Sequence, residues 1–370
     1  MKSKIKYIIF SIIFLLFIII FIIYNKNNKI INLSNNFYAL DTNINITLYN
    51  VKNNNYYNSL IDSSETIIED FEKIFSKTKI KSELYNLNNR KNNDYINISV
   101  DLAFIFVASR FFYIHSNNKF DISLFDSINL WTYARTTKKL PNENDVLASL
   151  QKSNKLNFEL YNKIDNNYIE YHELDKFIFN DQYINLIDNL KKQNIELYIK
   201  FNDLNSKYDL GAIAKGYIAD YLKFYLIQNN VKSAIINLGG NVLCLGKKNI
   251  FDKFKVGINK PFSNKEIITS VEIDDKSCVT SGIYERYFET DTTNQIWHHI
   301  IDNNTGYPVY NDLYSVTVIS KNSIIGDCLS TICMLNGLDN SNDILNYFRE
   351  NIDNTIETIF IDKNLNLLEK

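Results

Sequence analysis

Apolar and polar positions follow two different periods along this chain. Residues 57–77 and 100–116 place apolar side chains at helical spacing, which predicts two helices. Residues 37–49 alternate with a period of two, which predicts a strand. Further strands are predicted at 158–160, 168–171, 231–238, 254–258, 268–273, 277–280, 286–289, 315–319 and 355–361. Further helices are predicted near 144–152, from 209 to about 228, over 326–336 and over 344–348.

This order of elements predicts an α+β fold, because strands come in runs and helices are segregated from them. We expect one globular domain over residues 37–370, since no linker-like segment interrupts it, and its least regular part is 132–207. The chain has 370 residues, 45% of them hydrophobic, so it is long enough to bury a substantial core.

A nearly unbroken apolar run extends from Tyr7 to Tyr24 and follows Lys2, Lys4 and Lys6. Its length suits a membrane-spanning helix, whereas a cleavable signal usually has a shorter apolar core and a small-residue cleavage site. We therefore expect residues 1–24 to be an uncleaved anchor rather than a removed signal, with 25–36 as a linker. The lysines favour a cytoplasmic N-terminus, which would put the globular domain on the extracytoplasmic side of the cytoplasmic membrane.

Charge and cysteine content exclude two classes of function. The net charge is −2 at pH 7, so no general basic field favours a nucleic-acid partner. Four cysteines lack the paired spacing of a zinc site, and we expect them to be buried free thiols, although pairing in an oxidising compartment stays open. They are Cys244, Cys278, Cys328 and Cys333.

The segment Asp209-Leu-Gly-Ala-Ile-Ala-Lys-Gly-Tyr217 carries the strongest chemical signal. It predicts a helix start with a lysine, Lys215, on the first turn. Helix starts present unpaired N–H groups and a partial positive charge, which suit a diphosphate. Small residues at a helix start more often serve close packing, so the segment gains weight only from other motifs.

Two more motifs follow it. In Ala234-Ile-Ile-Asn-Leu-Gly-Gly-Asn241 a predicted strand ends in paired glycines, which either form a tight turn or let backbone approach a ligand. In Thr280-Ser-Gly-Ile-Tyr-Glu-Arg-Tyr-Phe288 the hydroxyls before the glycine can donate to a phosphate or a ring system. A satisfied turn is the plainer interpretation of each motif alone.

The last two motifs lie nearer the C-terminus. Trp297-His-His-Ile-Ile-Asp-Asn-Asn-Thr-Gly-Tyr-Pro308 holds two of the four histidines, and one of them could act as a general base. In Gly326-Asp-Cys-Leu-Ser-Thr331, Asp327 and Thr331 are four residues apart on a predicted helix and so share a face. Such a pair suits Mg²⁺, although it is also common as a helix-start cap.

In this order the motifs resemble the ApbE family of FAD:protein FMN transferases, over about residues 37–338. Four earlier segments add to the resemblance: Tyr38-Ala-Leu-Asp-Thr-Asn-Ile-Asn-Ile-Thr-Leu48, Phe75-Ser-Lys-Thr-Lys-Ile-Lys-Ser82, Lys119-Phe-Asp-Ile-Ser123 and Asn129-Leu-Trp131. Residues 132–207 match no family element clearly and are lengthened. The resemblance implies a two-lobed α+β fold with a cleft between mixed or antiparallel sheets.

The resemblance also implies site residues. Mg²⁺ would bind through the Ala212 carbonyl, the Asp327 carboxylate and the Thr331 side chain. The expected contacts to FAD are Leu40, Thr78, Lys119, Phe120, Asp121, Asp209, Lys215, Thr280, Ser281 and Gly282. His299, directly before Ile-Ile-Asp, is the candidate catalytic base.

The activity that the resemblance implies is transfer of FMN from FAD to a Thr or Ser hydroxyl of a target protein, with release of AMP. The expected acceptor is a subunit of an extracytoplasmic redox complex. Two alternatives stay open. One is an FAD-binding protein without catalysis, and the other is a Mg²⁺-dependent enzyme that hydrolyses FAD to FMN and AMP.

Overall fold

An eight-stranded antiparallel sheet is the main element of this computed structural model. The structure describes residues 14–18, 30–52, 54–153, 156–176, 182–264, 266–290 and 293–369. The strands within them are β1 (Ile30–Ala39), β2 (Thr42–Lys52), β3 (Ile96–Ile98), β4 (Phe158–Ile164), β5 (Asn167–Glu170), β6 (Leu197–Phe201), β7 (Ala234–Leu238), β8 (Asn241–Leu245), β9 (Phe254–Asn259), β10 (Ile267–Ile273), β11 (Ser277–Gly282), β12 (Tyr287–Thr290), β13 (Thr293–His298), β14 (Leu313–Ser320), β15 (Glu357–Asp362) and β16 (Leu367–Glu369). Eight of these strands form the main sheet, in the order β1-β2-β7-β8-β11-β14-β15-β16.

Helices cover one face of the main sheet, and a hairpin covers part of the other. The helices are α1 (Asn55–Phe75), α2 (Glu83–Asn88), α3 (Val100–Ile114), α4 (Phe125–Thr137), α5 (Glu143–Leu150), α6 (Tyr183–Lys192), α7 (Ala214–Gln228) and α8 (Ser323–Asn351). The largest apolar core lies between the sheet and α1, α7 and α8. On the other face, the β9–β10 hairpin buries Phe254 against Cys244 and Cys278.

The helical periodicity of the sequence explains which faces are buried. In α1 the residues Leu60, Ile61, Ile68 and Phe71 recur at helical spacing and are all buried. The predictions for 57–77 and 100–116 are therefore confirmed as α1 and α3. The predicted helices at 326–336 and 344–348 are parts of α8, which is interrupted at Gly337 by a left-handed φ of 73°.

The strand register brings several chain reversals to one end of the main sheet. Leu40 and Asp41 turn between β1 and β2, and Gly239 and Gly240 turn between β7 and β8. Val279 pairs with Asn241, so residues 280–282 continue β11 past the first residue of β8. We call this the turn end. The opposite end, where β1 begins and β2 ends, is called the entry end.

Residues 132–207, the least regular part of the sequence, contribute to a second antiparallel sheet. Its order is β3-β6-β4-β5, and its face packs on α3, where Phe106 contacts Phe158 edge to face. The predicted strands at 158–160 and 168–171 correspond to β4 and β5. The helices α4 and α6, by contrast, are not predicted by the periodicity.

Three boundary predictions are wrong. The segment 37–49 is not one strand, because Leu40 and Asp41 adopt φ values of 54° and 56° and reverse the chain between β1 and β2. The predicted linker 25–36 overlaps β1, which begins at Ile30 and pairs with β2. Asp209 does not open a helix, since α7 begins at Ala214.

Most of the predicted membrane anchor at residues 1–24 lies outside the described residues. Of that segment the structure describes 14–18, which are helical and exposed. In the part of the chain that is described, we find no helix with the length and hydropathy needed to cross a membrane.

Candidate functional site

Two helices cap each other where α7 and α8 cross. Neither helix start has a side-chain cap of its own. Asp220 of α7 accepts the backbone N–H groups of Ser323 and Ile324 at 2.7 and 2.9 Å. Asp327 of α8 in turn accepts the backbone N–H of Gly216 through Oδ2, at 2.8 Å. The unpaired N–H groups of both helix starts are thus partly satisfied by carboxylates from the other helix.

Gly216 makes this crossing possible. A Cβ atom at this position would lie 2.6 Å from the Ile324 Cα and 2.7 Å from the Ser323 carbonyl oxygen. Both obstacles are backbone atoms, which cannot rotate away. Gly216 of the 209–217 motif is therefore required for packing, and that packing places Asp327 against the first turn of α7.

The same geometry leaves oxygen atoms available at the start of α7. In a regular helix the Gly216 N–H would bond to the Ala212 carbonyl, but here it donates to Asp327. Among the described residues we find no donor to the Ala212 carbonyl. The second carboxylate oxygen, Asp327 Oδ1, lies 3.9 Å from Lys215 Nζ. A buried carboxylate that is 4% exposed thus keeps one oxygen without a close hydrogen bond.

Hydroxyl groups from β11 and α8 meet beside Asp327. Ser281 Oγ lies 2.8 Å from Ser330 Oγ and 3.1 Å from Thr331 Oγ1. The Thr331 hydroxyl donates to the Asp327 carbonyl at 3.3 Å, one turn earlier in the helix. Thr280 hydrogen-bonds Thr317 on the neighbouring strand at 2.8 Å. The structure therefore brings the 280–282 and 327–331 motifs together at the turn end.

The oxygen atoms of this site fit a Mg²⁺ ion that shares its coordination with phosphate. Among the described residues no three His, Cys, Asp or Glu side chains form a metal-binding group. The oxygens of Ala212, Asp327 and Thr331 are hard ligands and include only one carboxylate. Mg²⁺ is commonly held in proteins by one or two carboxylates, with phosphates and waters filling the rest of an octahedral shell.

A second polar group surrounds Asp209. Its carboxylate accepts from Lys77 Nζ at 2.5 Å and from the Gly211 N–H at 2.8 Å, and Lys77 also donates to Asn129 at 3.0 Å. The Asp209 N–H bonds to the Ile122 carbonyl at 2.8 Å. Asp209 thus orders the turn that leads to Ala212 instead of starting the helix.

Asp121 and Phe120 hold the loop before α4. Asp121 accepts from the Ser123 N–H and hydroxyl at 2.8 and 2.6 Å and from the Ser153 hydroxyl at 2.9 Å. Phe120 is 2% exposed and belongs to the core. In this structure both side chains shape the loop.

Leu40 occupies the left-handed turn between β1 and β2. Its N–H donates to Glu72 at 2.7 Å, and Glu72 also pairs with Lys79. Thr78 is exposed in the loop between α1 and α2 and contacts Ser76. A Cβ on Gly239 would lie 2.1 Å from the Thr42 hydroxyl, so the two turns of the main sheet touch.

Lys119 links the loop before α4 to the 297–308 motif. Its ammonium group lies 2.8 Å from Asp302, and both side chains are mostly buried. Asp302 also closes the turn that follows it, because its carbonyl accepts from the Gly306 N–H at 2.8 Å. The Trp131 indole donates to the Gly306 carbonyl at 2.7 Å and so ties α4 to this turn.

The two adjacent histidines have different environments. His298 is buried, accepts from the Ile300 N–H through Nδ1 and bonds the Val309 carbonyl through Nε2 at 3.0 Å. Burial lowers the pKa of His298 to about 4. This histidine is neutral and fully hydrogen-bonded, so its role is structural.

His299 has a free ring nitrogen. Burial, together with the nearby charge of Arg286, lowers the pKa of His299 to about 3. A hydrogen bond to the Arg286 backbone acts in the opposite direction but is the smaller effect. Its Nδ1 atom is inaccessible to solvent and has no hydrogen-bond partner among the described residues. A neutral imidazole that donates through one nitrogen keeps a lone pair on the other, as a general base requires.

The sequence profile of the ApbE family matches residues 40–356. The chain belongs to the ApbE family. An FAD:protein FMN transferase from Klebsiella pneumoniae is 47% identical over 161 residues, which cover 43% of this chain and 47% of that protein. One from Treponema pallidum is 38% identical over 149 residues, covering 38% of this chain and 41% of that protein. The match thus spans less than half the length of these curated relatives.

A solved structure confirms the ApbE fold. The ApbE protein from Thermotoga maritima aligns with a TM-score of 0.72 at 19% identity, and the alignment covers 92% of this chain and 97% of that one. The α+β prediction with antiparallel sheets is thereby confirmed over nearly the whole chain.

Several residues that contact the predicted site residues could not be found from the motifs. Glu72 and Lys77 lie outside the predicted site residues, although Lys77 falls within the 75–82 segment. Their partners, Leu40 and Asp209, are 32 and 132 residues away along the chain. Ser330 is inside the last motif, but only the structure shows that it bonds Ser281.

Proposed function

We propose that this chain transfers FMN from FAD to a Thr or Ser hydroxyl of a target protein, in a Mg²⁺-dependent reaction that releases AMP. The observation that carries the proposal is the buried Asp327 carboxylate. One of its oxygens caps α7, and the other stays available 3.9 Å from Lys215 Nζ. The hydroxyl of Thr331, one turn further along α8, contacts that of Ser281. Membership of the ApbE family supports the same chemistry.

The start of α7 is suited to a diphosphate. The partial positive charge of the helix start favours an anion, and Lys215 adds a full positive charge on the first turn. Ala212, Asp327 and Thr331 would hold Mg²⁺ here. When bound, the ion offsets the negative charge of the diphosphate as a Lewis acid. The hydroxyls of Thr280 and Ser281 would donate to FAD at the end of β11.

The transfer exchanges one phosphorus–oxygen bond for another. The acceptor hydroxyl oxygen forms a bond to the FMN phosphorus, and the bond from that phosphorus to the bridging oxygen breaks, so AMP leaves with the bridging oxygen. The hydroxyl proton goes to a base, for which His299 Nδ1 is our candidate. A pKa near 3 makes a weak base. A bound dianionic diphosphate near Arg286 would favour the protonated ring and so raise that pKa.

The membrane placement is part of the proposal and is supported by the apolar run from Tyr7 to Tyr24. An anchored N-terminus would leave the ApbE domain outside the cytoplasmic membrane. Its acceptor would then be a subunit of an extracytoplasmic redox complex.

One incubation separates transfer from its alternatives. The full chain is mixed with FAD, Mg²⁺ and flavin-free envelope proteins from its own cells, and the products are separated by denaturing electrophoresis and nucleotide chromatography. A fluorescent acceptor band with matching AMP, both lost with EDTA, supports transfer. FMN and AMP without a band would indicate an FAD pyrophosphatase. Retained FAD without AMP would indicate a binding protein.

A further inference from the structure

The loop between β8 and β9 presents two large apolar side chains to solvent. Ile250 is 85% exposed and Phe251 is 90% exposed. Asn249 holds this conformation, because its Oδ1 accepts the N–H groups of Phe251 and Asp252 at 2.9 and 2.8 Å. Its Nδ2 also donates to the Asp252 carboxylate at 2.7 Å. The exposed pair thus belongs to an ordered turn.

Lysines surround this apolar tip. Lys247, Lys248 and Lys253 are in the same loop. Lys52 is the last residue of β2, and Lys232 lies just before β7. Three acidic residues offset part of this charge. Asp252 lies in the tip itself, Asp274 lies 3.1 Å from Lys253 and 4.0 Å from Lys247, and Asp275 lies 3.0 Å from Lys223. The surface nevertheless combines an apolar tip with excess positive charge.

The loop lies at the entry end of the main sheet. The Lys248 carbonyl accepts from Asn50 Nδ2 at 2.7 Å, and Asn50 lies near the end of β2. The Ser233 hydroxyl donates to the Lys247 carbonyl at 2.6 Å, just before β7. Strand β1 begins at the same end with Ile30, which is 66% exposed and pairs with Lys52.

We propose that this tip, Asn249 to Asp252 with its lysines, docks on an anionic lipid surface. The chain ahead of Ile30 contains the apolar run that ends at Tyr24. Five residues separate the two points, and they reach at most about 18 Å when extended. If the run enters a bilayer, the entry end must lie beside that bilayer. Exposed Ile and Phe side chains insert at the headgroup level, and lysines attract anionic lipid.

This docking determines which way the candidate site faces relative to the lipid. Strand β2 joins the entry end to the turn end over 11 residues, which span about 35 Å at roughly 3.3 Å per residue. Ser281 and Thr331 would therefore face away from the lipid, about 30 Å above it. The proposal does not use Asp327 chemistry, so it stands or fails independently of flavin transfer.

The test uses depth-dependent quenching on the full chain in lipid nanodiscs. All four native cysteines are buried, so an introduced surface cysteine reacts selectively with an environment-sensitive fluorophore. Phe251→Cys reports on the tip. Ile80→Cys is the matched control, because Ile80 is a comparably exposed apolar residue, 75% accessible, in the loop between α1 and α2. This loop is near the turn end, because its Lys79 pairs with Glu72, which accepts the Leu40 N–H.

In discs of equal parts phosphatidylcholine and phosphatidylglycerol, we expect the label at Phe251→Cys to shift to the blue and to lose most of its fluorescence to spin-labelled lipid. The label at Ile80→Cys should do neither. Equal quenching at both positions, quenching at Ile80→Cys alone, or none at either would overturn the proposal. So would an undiminished effect in pure phosphatidylcholine, or a shift that needs an added protein.

Discussion

Asp327 accepts the backbone N–H of Gly216 at 2.8 Å, so a carboxylate on α8 caps the first turn of α7. This contact gives the two carboxylate oxygens different surroundings. Oδ2 holds the helices together, while Oδ1 faces Lys215 at 3.9 Å. Structural and chemical roles of Asp327 can therefore be separated by substitution.

Asp327→Asn should abolish Mg²⁺-dependent transfer while preserving the fold. The asparagine carbonyl can still accept the Gly216 N–H, but the negative charge and one ligand oxygen are lost. Asp327→Ala should also be inactive, and should lower the free energy of unfolding by about 1–3 kcal/mol because a buried N–H loses its partner. Urea unfolding and transfer assays on both variants measure the two effects.

Either of two results would count against this division of roles. If Asp327→Asn keeps Mg²⁺-dependent activity, the ion is held elsewhere. If Asp327→Ala is as stable as Asp327→Asn, the contact to Gly216 contributes little to the fold.

Gly216→Ala should destabilise the protein, since the new Cβ would lie 2.6 Å from the Ile324 Cα. Overpacking of this kind costs about 1–3 kcal/mol, and separating α7 from α8 should also weaken FAD binding. Gly240→Ala is the control, because a Cβ there meets nothing within 4 Å and only its φ of 93° opposes the change. Equal stability of Gly216→Ala and wild type in urea would refute the packing argument.

His299→Gln should lower the transfer rate by about 10²–10⁴-fold, the usual contribution of a general base, and should change the pH dependence of kcat. FAD affinity should change far less, because the role concerns the acceptor hydroxyl. His172→Gln serves as control, since His172 is exposed and belongs to no site motif. A His299→Gln enzyme with wild-type rate and pH profile would assign the base elsewhere.

Stability should fall in mildly acidic solution, because burial lowers the pKa of both His298 and His299. The pKa of His298 is lowered from 6.5 to about 4 in the folded state, so between these values the unfolded chain binds the extra proton. The part of the stabilisation that comes from His298 is present above pH 6.5 and is lost as the pH falls towards 4, by about 3 kcal/mol. His298→Asn should make this part of the pH curve of urea unfolding less steep, and the remaining slope comes from His299. An identical slope in wild type and variant would contradict the assignment.

The polar motifs were predictable because each is a short local pattern. The sequence alone indicates Asp327 and Thr331 on one helical face, and it indicates hydroxyls at Thr280 and Ser281 before a glycine. What it does not indicate is that β11 and α8 bring the hydroxyls of Ser281 and Thr331 within 3.1 Å of each other. Register and helix packing determine that contact, over a separation of 50 residues.

The wrong predictions of element boundaries also have physical causes. The β1–β2 turn uses Leu40 and Asp41 in left-handed conformations, without the Asn-Gly or Asp-Gly pair that signals such turns. Glu72, distant in sequence, stabilises that turn by accepting the Leu40 N–H. In α4, buried residues such as Trp131 and Ala134 pack against a separate small cluster, so the helix lacks one clear apolar face.

The dependence of FAD affinity on Mg²⁺ tests the central claim most directly. FAD is titrated calorimetrically into the wild-type chain, once with excess Mg²⁺ and once with EDTA. A dinucleotide held at its diphosphate through an ion on Asp327 should bind at least about tenfold more tightly with Mg²⁺, or about 1.4 kcal/mol. Equal affinity in the two titrations, or no binding in either, would contradict the account.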